Sequence, residues 1–244
     1  MKILNLGCGS KTCPHSDVVN IDWSVLLRIR KNPVLRSLAP LLLNGERLQR
    51  FRALPDNILV RNLAFGIPFG DASVDVVYHS HVLEHLDREV AGKFLVECWR
   101  VLRPEGIVRV VVPDFERYCR DYLKHVELCE RLGAPAIAEH DRYFEPLLLQ
   151  SVRREAFGTS QQRPLRRTLE NLLLGDARRR GETHQWMYDR FNLTALLTAS
   201  GFANVQILSF DTSRIPGWDR YGLDRNPDGT EYKPESLYVE AVKP

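Results

Sequence analysis

Short apolar runs alternate with stretches of helical spacing along this chain of 244 residues. Lys2–Leu6 and Val18–Asp22 read as buried strands, with Asn57–Arg61 and Ser73–Tyr78 as two more. Arg88–Leu102 sets Val90, Phe94, Leu95, Cys98, Val101 and Leu102 at helical spacing, and Arg103-Pro104-Glu105-Gly106 reads as its stop and a turn. Ile107–Val112 is almost wholly β-branched, as expected of a central strand covered on both faces. The helix Leu193–Ser200, its stop Gly201, the strand Val205–Phe210, a loop rich in Gly, Pro and Asp, and the strand Ser236–Val242 complete the alternation.

Strands alternating with helices predict an α/β, doubly wound, mainly parallel sheet. Three regions depart from that rhythm. About eleven residues separate the first two strands, with Pro14 among them, which leaves room for a turn or two of helix at most. Trp23–Phe51 mixes apolar and basic residues and predicts two short amphipathic helices broken at Pro33 and Pro40. Phe115–Glu182 is charged and helical in pattern without a clear strand, so residues 115–182 are expected to be a helical insertion over the sheet's active edge, within one domain spanning 1–244.

Composition narrows the partners. A net charge of +3 is too small to imply nucleic acid, and none is expected. Five scattered cysteines with no CxxC pair suggest reduced thiols. No apolar run approaches the roughly 20 residues of a membrane span, and MKILNLG enters a strand directly, so a cytoplasmic protein is expected.

The chemistry starts at ILNLGCGS, Ile3 to Ser10, where an apolar run ends in Gly-x-Gly. Asp22 ends the next strand. A glycine turn with a strand-end carboxylate describes a pocket for an adenosine-containing cofactor. A dinucleotide fold wants a third glycine at the mouth of a long helix, whereas here Thr12 fills that position and Cys13-Pro14 follows. S-adenosylmethionine has no phosphate. It needs close backbone approach, which Gly7 and Gly9 allow, and a carboxylate for the ribose diol, which Asp22 supplies.

Downstream, NLAFGIPFGDASVDVVYHSHVLEHL (62–86) and ECWRVLRPEGIVRVVVPD (97–114) resemble class I S-adenosylmethionine-dependent methyltransferases, nearest to the methyltransferase type 11 group. The likeness covers roughly the first half of the chain together with TASGFANVQI and SLYVEAVKP. A softer likeness of HQWMYDRFNLTALLTASGF (184–202) and the tail is to a bacterial subgroup associated with polysaccharide or secondary-metabolite genes. The resemblance implies a Rossmann-like seven-stranded sheet with the last strand antiparallel. It implies that Gly7, Cys8 and Gly9 face the methionine part of the cofactor and that Asp22 holds the ribose. Asn62 and Leu63 would flank the adenine, while His79, Ser80 and His81 would pass beneath the sulfonium. Asn5 and Asn62 stand where many members carry acids, and Asn5 is kept among the cofactor residues.

Methyl transfer needs alignment and exclusion of water, and a hydroxyl acceptor also needs a base. His81 is the first candidate, at the end of the fourth strand, with Glu84 and His85 on the same helical face. His184, beside Trp186 and Tyr188, is the second. Asp114 reads as a helix cap or an acceptor contact. No metal site is expected, because neither Cys8-x4-Cys13 nor His81-x3-His85 comes with further ligands. Ser151–Gly181 holds eight arginines against three acids, and together with Leu26–Leu43 it suits an anionic or lipid-linked acceptor at a membrane surface. The expected reaction is O-methylation of a small-molecule or glycan acceptor. The alternatives are N- or C-methylation of a metabolite and a non-catalytic binding protein.

Overall fold

The computed structural model describes residues 1–43, 45–150 and 183–244. Seven strands form one sheet in the order β3-β2-β1-β4-β5-β7-β6. These are β1 (Ile3–Leu6), β2 (Val18–Asp22), β3 (Ile58–Val60), β4 (Val74–Ser80), β5 (Leu102–Pro113), β6 (Ala203–Leu208) and β7 (Ser236–Val242). The first five run parallel, and β7 lies antiparallel between β5 and β6. The expected Rossmann-like sheet with an antiparallel last strand is therefore present. The order reverses between β1 and β4, which opens a crevice at their carboxyl ends.

One face of the sheet is covered by helices. Leu4, Leu6, Val77, Val108 and Val110 pack against α4 (Arg88–Val101), and the same core includes Leu193 and Leu197 of the helix Arg190–Ala199. The other face is covered differently. No helix joins β1 to β2, and the β6–β7 loop fills that layer, laying Ile215, Trp218, Tyr221 and Leu223 on Ile3, Val76, Tyr78 and Val111. Arg109 of β5 is fully buried beneath this loop. It donates through Nε to Asp224 (2.7 Å), through Nη1 to Glu240 (2.7 Å) and Thr212 O (3.0 Å), and through Nη2 to Ser209 O (3.0 Å).

Two local expectations need correction. Pro40 does not break its helix. Between β2 and β3 the chain forms α1 (Val25–Lys31), α2 (Pro33–Leu42) and α3 (Gly45–Arg52), and Pro40 lies inside α2. Proline forfeits one N–H near a helix end, where few carbonyls depend on it, and Pro33 sits at the permissive start. Arg103–Gly106 is not a separate turn before the strand. Leu102 already pairs with Val74, and Ile107 resumes the ladder opposite Val76, so the four residues form a bulge with Glu105 at φ +63°.

Asp114 caps α5 (Phe115–Leu132) by accepting from the N–H groups of Glu116 and Arg117. Then come α6 (Ala134–Ile137), a 3-10 turn at His140–Tyr143 and α7 (Phe144–Gln150). Residues 115–150 of the segment read as an insertion are mainly helical, and the rest of it, with the basic segment 151–181, lies outside the described residues. The helix Arg190–Ala199, capped by a reciprocal Asp189–Asn192 pair, is α8. Among the described residues no helix is long and apolar enough to cross a membrane.

Candidate functional site

The glycine turn leaves β1 with Gly7 at φ +63° and Gly9 at φ +53°, a region that L side chains rarely adopt. A Cβ on Gly7 would meet Val82 Cγ2 at 2.5 Å, so the backbone must pass tightly under Val82. At Gly9 the space is open, with nothing within 4 Å of a Cβ position. The Gly9 N–H donates to Asp22 Oδ2 at 2.8 Å, which fixes the carboxylate at the lip of the turn. Burial raises the Asp22 carboxyl above its ordinary value, while the Gly9 and Trp23 N–H groups hold it down. Cys8 offers this cleft its backbone alone. Its thiol packs between Leu27 and Ile58, where burial pushes it up to about 12.

Asn5 lies beneath the turn and is 2% exposed. Its NH2 donates to Lys11 O and to Asn20 Oδ1, both at 2.9 Å. Asn20 in turn accepts from Cys13 N–H and donates to Cys13 O. The two buried amides brace a loop that lacks a crossover helix. An acid at position 5 would aim acceptors at acceptors, so the amide follows from the short loop.

Asn62 caps a 3-10 turn through Ala64 N–H, and its NH2 end makes no hydrogen bond among the described residues. Leu63 packs on the core beside it. This loop is held from α4, where Glu97 accepts from Ile67 N–H and Arg100 donates to Ile67 O and Phe69 O.

At the end of β4 the side chains part. His79 is wholly buried against Phe94, and neither ring nitrogen has a hydrogen bond. Desolvation pushes it down to about 3, so a role beneath a cofactor falls to its backbone. Ser80 turns to the other face, in hydrogen-bond range of Tyr78. His81 adopts φ +53°, a strained conformation for a non-glycine residue, costing on the order of 1–3 kcal/mol. Its Nε2 lies 2.9 Å from Ser236 Oγ and its Nδ1 lies 3.3 Å from Glu84 Oε1.

Glu84 is 1% exposed, and among the described residues neither carboxylate oxygen has an aligned hydrogen bond. Desolvation pushes its carboxyl up to about 8 and the His81 imidazole down to about 3, the latter helped by Lys233, His184 and His85. Burial thus favours the neutral form of both partners. His184 joins them, its ring edge-on to His85 at 4.9 Å. The following backbone anchors the segment, because the Gln185 and Trp186 N–H groups donate to Glu84 O. Both histidines read as candidates, His81 and His184, therefore belong to one cluster. Asp114 stands apart as a cap. Ser236 and Lys233 carried no sequence signal, since both come from the far end of the chain.

A family model described as a methyltransferase domain matches residues 37–110, which include β3, β4, the Glu84 turn and α4. Over those residues the chain is similar to methyltransferase domains. A probable S-adenosylmethionine-dependent methyltransferase of Mycolicibacterium smegmatis is 48% identical over 48 residues, covering 20% of this chain and 18% of that protein. One from Mycobacterium tuberculosis is 44% identical over 57 residues, covering 23% and 20% respectively. The chain thus spans about a fifth of the curated relatives it matches. A solved S-adenosylmethionine-dependent methyltransferase from Methanosarcina mazei is 18% identical at TM-score 0.43, covering 99% of this chain and 92% of that one.

S-adenosylmethionine is the cofactor named for these relatives. The open space over Gly9 and the fixed Asp22 carboxylate fit it. Gly7 and Gly9 would admit its amino-acid end, Asp22 the ribose hydroxyls, and Asn62 with Leu63 the adenine.

Proposed function

We propose that this methyltransferase relative transfers a methyl group from S-adenosylmethionine to a hydroxyl of a small-molecule or glycan acceptor. When bound, the cofactor supplies an electrophilic methyl on a sulfonium. The chain's own task is to orient the acceptor, exclude water and take its proton. The observation that carries this reading is the buried Glu84 beside His81. With Glu84 ionised, His81 Nδ1–H faces the carboxylate, and Nε2 accepts a proton from the acceptor directly or through Ser236. The required form has lost the proton that burial holds on Glu84, so methyl transfer is expected to rise with pH through about 8. N- and C-acceptors already deprotonated would show no such rise.

The test runs in two stages. Calorimetry is expected to show S-adenosylmethionine binding, weakened about tenfold, or ~1.4 kcal/mol, by Asp22→Ala. No binding at millimolar cofactor would end the proposal. Cofactor turnover is then followed with hydroxyl, amine and activated-carbon acceptors, and turnover confined to amines would contradict the O-methylation reading.

A lipid-linked acceptor is favoured by α2, where Val34 (65%) and Leu41 (84%) stand exposed close to the basic end of α1. Sedimentation with anionic lipid vesicles tests this, and equal recovery of wild type and Leu41→Asp would refute it.

A further inference from the structure

We infer that His125, Cys129 and His140 form a metal site for a zinc-class divalent ion within the helical insertion. His125 and Cys129 are four residues apart and share one face of α5. His140 comes from the 3-10 turn that precedes α7. The facing atoms lie close, with His125 Nδ1 at 2.9 Å from His140 Nδ1. Cys129 Sγ lies 3.5 Å from the first nitrogen and 3.7 Å from the second. Tetrahedral zinc with ordinary N and S bond lengths has edges of about 3.3 Å between nitrogens and about 3.6 Å from nitrogen to sulfur. The three atoms thus already outline one face of the coordination sphere, and seating the ion needs only a few tenths of an ångström.

The surroundings suit a ligand set. His125 is 4% exposed and stacks on Tyr143 at 3.9 Å, which holds its ring plane. Tyr122, tilted, and Phe144, edge-on, flank the His140 ring. Among the described residues no fourth His, Cys, Asp or Glu reaches the group, so water takes the open position. A depression lined by Asp121, Lys124, Leu128 and Arg131 opens beside His125 and Tyr143 and gives the ion a way in.

Binding releases the Cys129 thiol proton, and a proton between the two Nδ1 atoms moves to an Nε2 through solvent. Eleven residues of helix, about 16 Å, separate His125 from the Asp114 cap at the sheet edge. The ion therefore acts as a clip that ties α5 to the returning turn, and it stands apart from the acid–base cluster.

Untagged protein is stripped with a chelator and titrated with zinc, then with cobalt. One ion per chain is expected, together with a thiolate-to-cobalt absorption band and a higher melting temperature. Cys129→Ser is expected to remove the band and weaken binding at least tenfold, and His140→Ala to weaken it similarly. Cys119→Ser on the same helix is expected to change neither. Circular dichroism of the metal-free variants checks that they still fold, and a misfolded Cys129→Ser leaves His140→Ala to decide. The inference fails if the intact chain binds no stoichiometric ion. It fails also if the band survives Cys129→Ser, or if the ion sits instead on Glu84, His85 and His184, whose ligand atoms also lie within 4.8 Å of one another, so that Glu84→Gln abolishes binding while Cys129→Ser and His140→Ala leave it intact.

Discussion

Two buried charged clusters lie on the sheet of this protein, and they are built in opposite ways. Around Arg109 the guanidinium and both carboxylates are matched, and only Arg214 at the rim leaves Nε and Nη2 without a hydrogen bond among the described residues. Asp224 accepts from Arg109, Tyr78 and Trp218, while Glu240 accepts from Arg109, Ser213 and the Arg214 N–H. Around Glu84 the carboxylate oxygens lack aligned donors, His81 sits on a strained backbone, and burial pushes acid and base toward their neutral forms. A satisfied network fastens a loop. An unsatisfied one is where the proposed proton transfer would take place, at a cost in stability that the rest of the fold must offset.

The largest expected effect is on the satisfied side. Arg109→Met strands two buried carboxylates and is expected to lower stability by about 3–5 kcal/mol in urea unfolding. A loss below 1 kcal/mol would mean that the network does not hold the β6–β7 loop. Glu84→Gln is the reverse case. A carboxyl raised from an unfolded value near 4.5 to about 8 contributes stability that is fully present below 4.5 and is lost as pH climbs to 8. Glutamine does not titrate. The variant should match wild type near pH 4.5 and exceed it by about 4 kcal/mol at pH 8, measured by unfolding at each pH. Equal pH dependence in the two proteins would contradict the difference drawn between the clusters. His81→Asn keeps a residue tolerant of positive φ but removes the ring. It is expected to slow methyl transfer about a hundredfold, near 2.7 kcal/mol, with the Kd for cofactor unchanged. A parallel loss of cofactor binding would recast His81 as part of the cofactor's frame.

Much of the fold was legible in the sequence because buried parallel strands declare themselves as apolar runs. ILNL, VVNID and IVRVVV all became strands in an order that builds the crevice. Gly7, Gly9 and Asp22 were legible for a related reason, since a tight turn and a strand-end acid have local signatures. Pro40 misled because proline is tolerated late in a short helix. The role of Asn5 was hidden, because it depends on Asn20 and on a loop that lacks a crossover helix. Arg109 carried no signal, because its partners stand more than 100 residues away in sequence. The ligand group on α5 offered only His125-x3-Cys129, and its third member arrives through a turn that no periodicity marks.

Burial without an aligned hydrogen bond among the described residues keeps Glu84 protonated at neutral pH. Carboxyl carbon NMR of protein labelled with 13C-glutamate, assigned by Glu84→Gln, follows that proton directly. One glutamate resonance is expected to lie in its protonated position at pH 7 and to titrate near pH 8. A Glu84 resonance that titrates near 4.5, with the other glutamates, would contradict it.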